Sequence, residues 1–96
     1  MARPINGVLR CTAANKAERL SAVASLVRDL EIHTLFGNVG RCAFGDAGVC
    51  IVSGSETAPP LYAGDIYEFA EPTVPQSIWV IFDTLGDGVV WRGTVD

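Results

Sequence analysis

LEIHTLFGNVGRCAFGDAG, residues 30–48, decides the fold. Its first half alternates: Leu30, Ile32, Thr34 and Phe36 share one side, and Glu31, His33 and Leu35 the other. A period of two over this length marks a half-buried β-strand, because successive side chains leave a strand on opposite faces. Gly37-Asn38 and Gly45-Asp46 punctuate the stretch, and Gly and Asn tolerate the positive φ of tight turns. The spacing predicts a strand, a hairpin turn on Gly37-Asn38, a short second strand and a second turn on Gly45-Asp46.

Working outward, residues 5–11 read as a first strand with Ile5, Gly7, Leu9 and Cys11 on one face. Gly7 weakens that strand or marks a bulge. Residues 12–28 are ambiguous. Ala17, Leu20, Ala24 and Val27 fall at helical spacing, and Asn15 with Glu18 resembles a capping box, yet Val27 runs into the alternating strand with no Gly or Pro stop. The reading is a loop with at most a short helix near residues 16–25. Downstream, residues 49–52 form a short strand, residues 53–60 a loop, and residues 61–65 a turn. Residues 66–70 alternate again until Pro72 and Pro75 close the ladder. Residues 77–83 and 88–95 make a terminal strand pair, with Gly86-Asp87-Gly88 supplying a hairpin turn. The first of that pair is apolar on both faces, with Ile78, Val80 and Phe82 opposite Trp79 and Ile81. Such a strand is central in a sandwich or covered by another subunit. Six to eight short strands in one domain of 96 residues fit an all-β antiparallel sandwich or small barrel.

Composition narrows the function classes. Hydrophobic residues make up 49% and charged residues 19%, enough to build one core without metal or disulfide help. The net charge of −4 argues against nucleic acid as a main partner. The charge is lopsided: residues 1–48 hold six Lys/Arg against four Asp/Glu, and residues 49–96 hold one against seven. A lopsided small domain can dock head to tail or present one face to a charged partner. The longest strongly apolar run, Ile78–Phe82, falls far short of the ~20 residues of a spanning helix, so no membrane partner is expected. The first residues, Met-Ala-Arg-Pro-Ile-Asn-Gly, do not read as a signal peptide. Three cysteines, at 11, 42 and 50, in a chain read as cytosolic favour thiols over a Cys42–Cys50 disulfide.

The search for chemistry returns little. His33 is the lone histidine, and the cysteines match no zinc spacing. The two Gly-rich segments lack the helix that a phosphate cradle needs. Asp83 and Asp87 lack the every-second-residue carboxylates of a calcium loop. Asp65, Glu68 and Glu71 read as a solvated acidic edge rather than a glycosidase pair. No catalytic residue, cofactor or metal is therefore expected. Tyr62, Tyr67, Trp79 and Trp91 are left as core or contact candidates, and Trp79 is preferred for contact because the opposite face of its strand already supplies a core.

The order of motifs resembles a known group. AERL at 17–20, LFGNVGRCAFGDAGV at 35–49, PPLYAGDIYEF at 59–69 and SIWVIFDTLGDGVVWRG at 77–93 are similar to the small β-sandwich structural proteins of tailed-bacteriophage virions. The residues that carry the resemblance are Asn38, Gly40, Gly45, Gly48, Val49, Gly64, Trp79, Gly86 and Gly88. It implies a non-enzymatic head decoration or cement protein, or a fibre anchor, on the capsid exterior, assembled in the host cytoplasm. The implied partners are the major capsid protein or other virion proteins, with this chain in a homo-oligomer or symmetric array. The expected contact residues are Arg3, Arg10, Arg28 and Arg41 toward a negatively charged capsid floor, with Tyr62, Tyr67 and Trp79. The alternatives are a tail or neck subunit, and a carbohydrate-binding module that stacks sugars on Tyr62, Trp79 or Trp91. A small hydrolase or thiol enzyme ranks last, because nucleophile, base and orienting group are not recognisable together.

Overall fold

The computed structural model describes residues 2–51 and 56–96. Among them, seven strands form two antiparallel sheets. The strands are β1 (Arg3–Arg10), β2 (Glu18–Arg19), β3 (Arg28–Thr34), β4 (Cys42–Gly45), β5 (Ile66–Glu68), β6 (Trp79–Phe82) and β7 (Gly88–Val95), with a single 3-10 turn at Pro75–Ser77. One sheet has the order β1-β7-β3-β5 and the other β2-β6-β4. The architecture is the small all-β sandwich that the alternating pattern implies.

The core lies between the sheets. Leu30 and Ile32 of β3 and Val89 and Trp91 of β7 face Val80 and Phe82 of β6, all fully buried. Gly7 is neither a bulge nor a weak point: it lies opposite Trp91 in an unbroken β1–β7 register. A Cβ there would come within 2.6 Å of the indole nitrogen, so the glycine makes room for the ring. The bulge lies instead on β3. Arg28 pairs with Thr94 and Glu31 with Arg92, so Asp29 and Leu30 together face Gly93. Asp29 takes a φ of 53° to allow it.

Two expected hairpins are corrected. β3 and β4 follow one another but sit in different sheets, because β7 and β5 already occupy both edges of β3. The chain leaves the sheet after Thr34, and Phe36, expected to be inward, is 91% exposed. The terminal pair separates in the same way: β6 lies between β2 and β4, and β7 between β1 and β3. Residues 35–41 and 83–87 are therefore crossovers between the sheets.

The apolar second face of β6 is covered by this chain itself. Ile81 packs with Ala43, Val49 and Ile51, flanked by Trp79, Ala17 and Ala58, in a second small cluster on the far side of the three-stranded sheet. Val49 and Ile51 are buried there without forming a strand, which corrects the strand expected at 49–52; Val52 lies outside the described residues. So do residues 53–55 of the expected loop. No helix forms at 16–25. Glu18 and Arg19 pair with Val80 and Trp79 as β2, and the Glu18 carboxylate accepts the N–H groups of Thr12 (2.9 Å) and Ala13 (3.2 Å). Tertiary pairing and a folded-back carboxylate outweigh a weak local helical period.

Candidate functional site

The two crossovers meet and are tied together by side chains. Asn38 acts like a strand partner to Gly88: its Nδ2 donates to the Gly88 carbonyl (2.9 Å) and its Oδ1 accepts the Gly88 N–H (2.8 Å). The Asp87 carboxylate is buried and accepts the N–H groups of Val39 (2.9 Å) and Gly40 (2.8 Å). The backbone carbonyl of Asp87 also accepts the Cys11 N–H at 2.7 Å, so one residue joins the end of β1, the first crossover and the start of β7. Asp83 repeats the device. Its oxygens accept the Arg41 N–H (3.0 Å), the Arg41 Nε–H (3.2 Å) and the Thr84 hydroxyl (3.0 Å), while Arg41 Nη2 donates to the Ile51 carbonyl (2.8 Å). Burial pushes against ionisation of Asp83, but those hydrogen bonds and the Arg41 charge outweigh it and hold its carboxyl below the usual range.

These carboxylates are consumed as acceptors within the fold, which accounts for both aspartates. Among the described residues, no group of three or more His, Cys, Asp or Glu is placed to hold a metal ion. Cys11 and Cys42 are buried thiols and Cys50 is a half-buried one. Burial, reinforced by the charges of Asp87, Asp65 and Asp83, pushes the Cys42 thiol up to about 12. Burial likewise raises Cys11. Both are thus poor nucleophiles. His33 stands on the outer face of the four-stranded sheet, its Nε2 3.7 Å from Glu31 and without a hydrogen-bond partner.

The chain matches no family model, no curated protein and no solved structure.

Of the residues singled out in the sequence, the four arginines do not converge. Arg3 and Arg10 stand at opposite ends of β1, about 24 Å apart at strand rise. Arg28 pairs with Asp96 (2.8 Å), and Arg41 is held by Asp83 within the polar latch that Asn38, Asp83 and Asp87 form between the two crossovers. Trp91 is 1% exposed and cannot stack on a sugar. Trp79 is half-buried, with the Arg19 guanidinium 5.0 Å from its ring centroid. Tyr62 and Tyr67 are different. Tyr67 is 45% exposed and stands edge-on to Phe44 and Phe69, at 5.8 and 5.0 Å between ring centroids. These rings, with Leu61, Pro59 and Ile78, line an open apolar pocket of about 230 Å³ where the β4 side of one sheet faces the β5 side of the other.

Two further exposed aromatics, Tyr62 and Phe36, lie at the turn before β5. Tyr62 N–H donates to the Asp65 carboxylate (2.8 Å), Asp65 N–H returns to the Tyr62 carbonyl (3.0 Å), and Gly64 adopts a φ of +83°. Phe36 lies over Gly64, where a Cβ would meet its ring at 2.9 Å. Phe36 is thus brought to the turn that carries Tyr62, whereas Tyr67 belongs to the pocket. Sequence reading names the tyrosines as contact candidates and assigns Phe36 to the core, since an alternating pattern does not say where a strand stops.

Proposed function

We propose that the protein is a non-enzymatic virion structural protein that docks on the capsid surface as a decoration or cement protein. The observation that carries this reading is the open apolar pocket lined by Phe44, Tyr67 and Phe69, with Tyr67 45% exposed at its rim. An apolar pocket with an exposed tyrosine at its rim has the composition of a protein-contact centre. The polar latch supports the reading from the other side, because it commits the Asp83 and Asp87 carboxylates to holding the fold rigid, and a rigid body loses little entropy on docking. A ligand that binds only the assembled shell stabilises it by mass action, about 4 kcal/mol at a thousandfold excess over Kd.

The test is co-sedimentation of the purified protein with capsids that lack it, at low and moderate salt. Saturable binding at a fixed copy number per capsomer is expected. Replacing Tyr67 with Ser should weaken that binding at least about tenfold, as hot-spot truncation does. Absence of capsid binding at every salt overturns the decoration reading, and binding to tail or neck assemblies would replace it.

A further inference from the structure

The four-stranded sheet has two open edges, β1 and β5, each with a single strand neighbour among the described residues. We infer that these edges fit one another, and that copies of this chain associate head to tail by pairing β5 of one with β1 of the next. The inference does not rest on the capsid reading.

Strand direction comes first. Every neighbouring pair in the sheet is antiparallel, so β1 and β5, first and fourth in order, run in opposite directions. A second copy set beside β5 in the same orientation presents its β1 antiparallel to it. The ladder continues without a break in alternation, which an odd number of strands would not permit.

Charge points to the same contact. β1 carries Arg3 and Arg10 and no acid, whereas residues 65–71 carry Asp65, Glu68 and Glu71 and no base. Arg3, Arg10, Glu68 and Glu71 take part in no ion pair among the described residues. Glu68 lies directly opposite Glu31, whose carboxylate is already bound by Arg92 at 3.1 Å. Like charges opposite one another destabilise a strand pair, so the β5 edge gains from cationic neighbours. The β1 edge supplies them.

Register supports the pairing further. Val8, Val90, His33 and Ile66 form one row across the outer face of the sheet. Its two ends, Val8 and Ile66, are 61% and 56% exposed. Setting Ile66 opposite Val8 of a second copy prolongs that row, and the same register brings Arg10 to the Asp65 end of β5 and Arg3 to the Glu71 end. Pro4 and the brevity of β5 keep the ladder short, as guarded edges usually are. Such a contact falls below the ~1,200 Å² of a stable standard interface, so the association is weak and reversible in solution. Being heterologous, it builds rings or open arrays rather than a closed dimer.

The experiment is sedimentation equilibrium of the full chain over a concentration series up to roughly millimolar at low salt, where screening is weakest. Three samples are compared: the wild type, Glu71→Lys, which sets a cation opposite Arg3 and blocks the β5 edge, and Arg10→Glu, which sets an acid beside Asp65 and blocks the β1 edge. Each reversal should weaken self-association at least about tenfold, since like-charge juxtaposition opposes docking. Mixing the two variants should restore a one-to-one complex, because the first keeps its β1 edge and the second its β5 edge. A wild type that stays monomeric throughout overturns the inference. So does self-association that both variants retain, or a mixture that stays monomeric. Capsid co-sedimentation of the same variants reads the decoration proposal separately.

Discussion

The two sheets are joined in two contrasting ways. Where the crossovers at 35–41 and 83–87 meet, the joint is polar and saturated: Asn38, Asp83 and Asp87 spend their side-chain oxygens on backbone or arginine N–H groups. On the β4/β5 side the joint is apolar and unfinished, with Phe44, Tyr67 and Phe69 around an open pocket. A saturated polar joint has nothing left to offer a partner, and its value is to fix geometry. An unfinished apolar joint keeps surface to bury. The contrast separates what holds the fold from what is available for binding.

The sharpest way to break it is to remove the buried Asp87 carboxylate. Asp87→Ala leaves the Val39 and Gly40 N–H groups without their charged acceptor. Hydrogen bonds to charged groups contribute about 1.5–3 kcal/mol each, and buried donors left unpaired add to the cost, so a loss of about 3–5 kcal/mol is expected. Urea unfolding at neutral pH measures it. Tyr67→Ala, across on the apolar joint, should cost no more than about 1–2 kcal/mol, because a 45% exposed ring buries only part of its area. Equal losses at the two sites would erase the distinction.

A glycine pair tests whether the latch is as tightly packed as its hydrogen bonds imply. A Cβ at Gly40 would collide with the Asp83 carboxylate and the Thr84 hydroxyl, whereas one at Gly37 meets nothing within 4 Å. Gly40→Ala should destabilise by about 1–3 kcal/mol, the usual range for overpacking. Gly37→Ala, three residues away in the same crossover, should leave the unfolding midpoint unchanged.

The latch was the least legible part of the molecule in the sequence, and the reason is physical. Asn38 and Asp87-Gly88 have the composition of local turns, and both do lie in turns. Their side chains, however, act over a separation of 47 residues between Gly40 and Asp87, and short-range patterns carry no information about that distance. The same limit turned two crossovers into expected hairpins, since a strand–turn–strand pattern does not state which sheet the second strand joins. What was legible was whatever depends on alternation alone: the inward faces of β1 and β3, the two-sided burial of β6 and the all-β class. Phe36 shows the remainder. Whether an aromatic at a strand end is core or contact depends on where the strand stops, and that is set by the neighbouring crossover.

Cys42 probes the core just behind the latch. With its thiol pushed up to about 12, against an ordinary value of 9.0, ionisation is far harder in the folded chain than in the unfolded one. Its contribution is therefore complete below about pH 9 and is lost as the pH rises toward 12. One differential proton makes the slope about 1.4 kcal/mol per pH unit in that window. Cys42→Ala should be less stable at neutral pH but should lose that part of the alkaline slope. Thiol titration of the native protein should leave Cys42 unreacted.

The smallest expected effect lies at Asp83, on the outer side of the same latch. Its carboxyl is held below the ordinary range, so the unfolded chain takes up its proton first as the pH falls. The stabilisation is thus present above the unfolded carboxylate range, near pH 4, and fades as the pH drops through the folded value. Asp83→Asn keeps an oxygen for the Arg41 backbone N–H but turns the acceptor of the Arg41 Nε–H into an amide donor, so it loses the charge and that one hydrogen bond, in a side chain that is 27% exposed. At neutral pH the cost should be about 1 kcal/mol or less, as for partly exposed ion pairs. The informative quantity is the acid limb. In the variant, stability should fall less steeply below pH 4 than in the wild type. An unchanged acid limb would mean that Asp83 is a packing element, and that Asp87 alone carries the electrostatic part of the joint between the sheets.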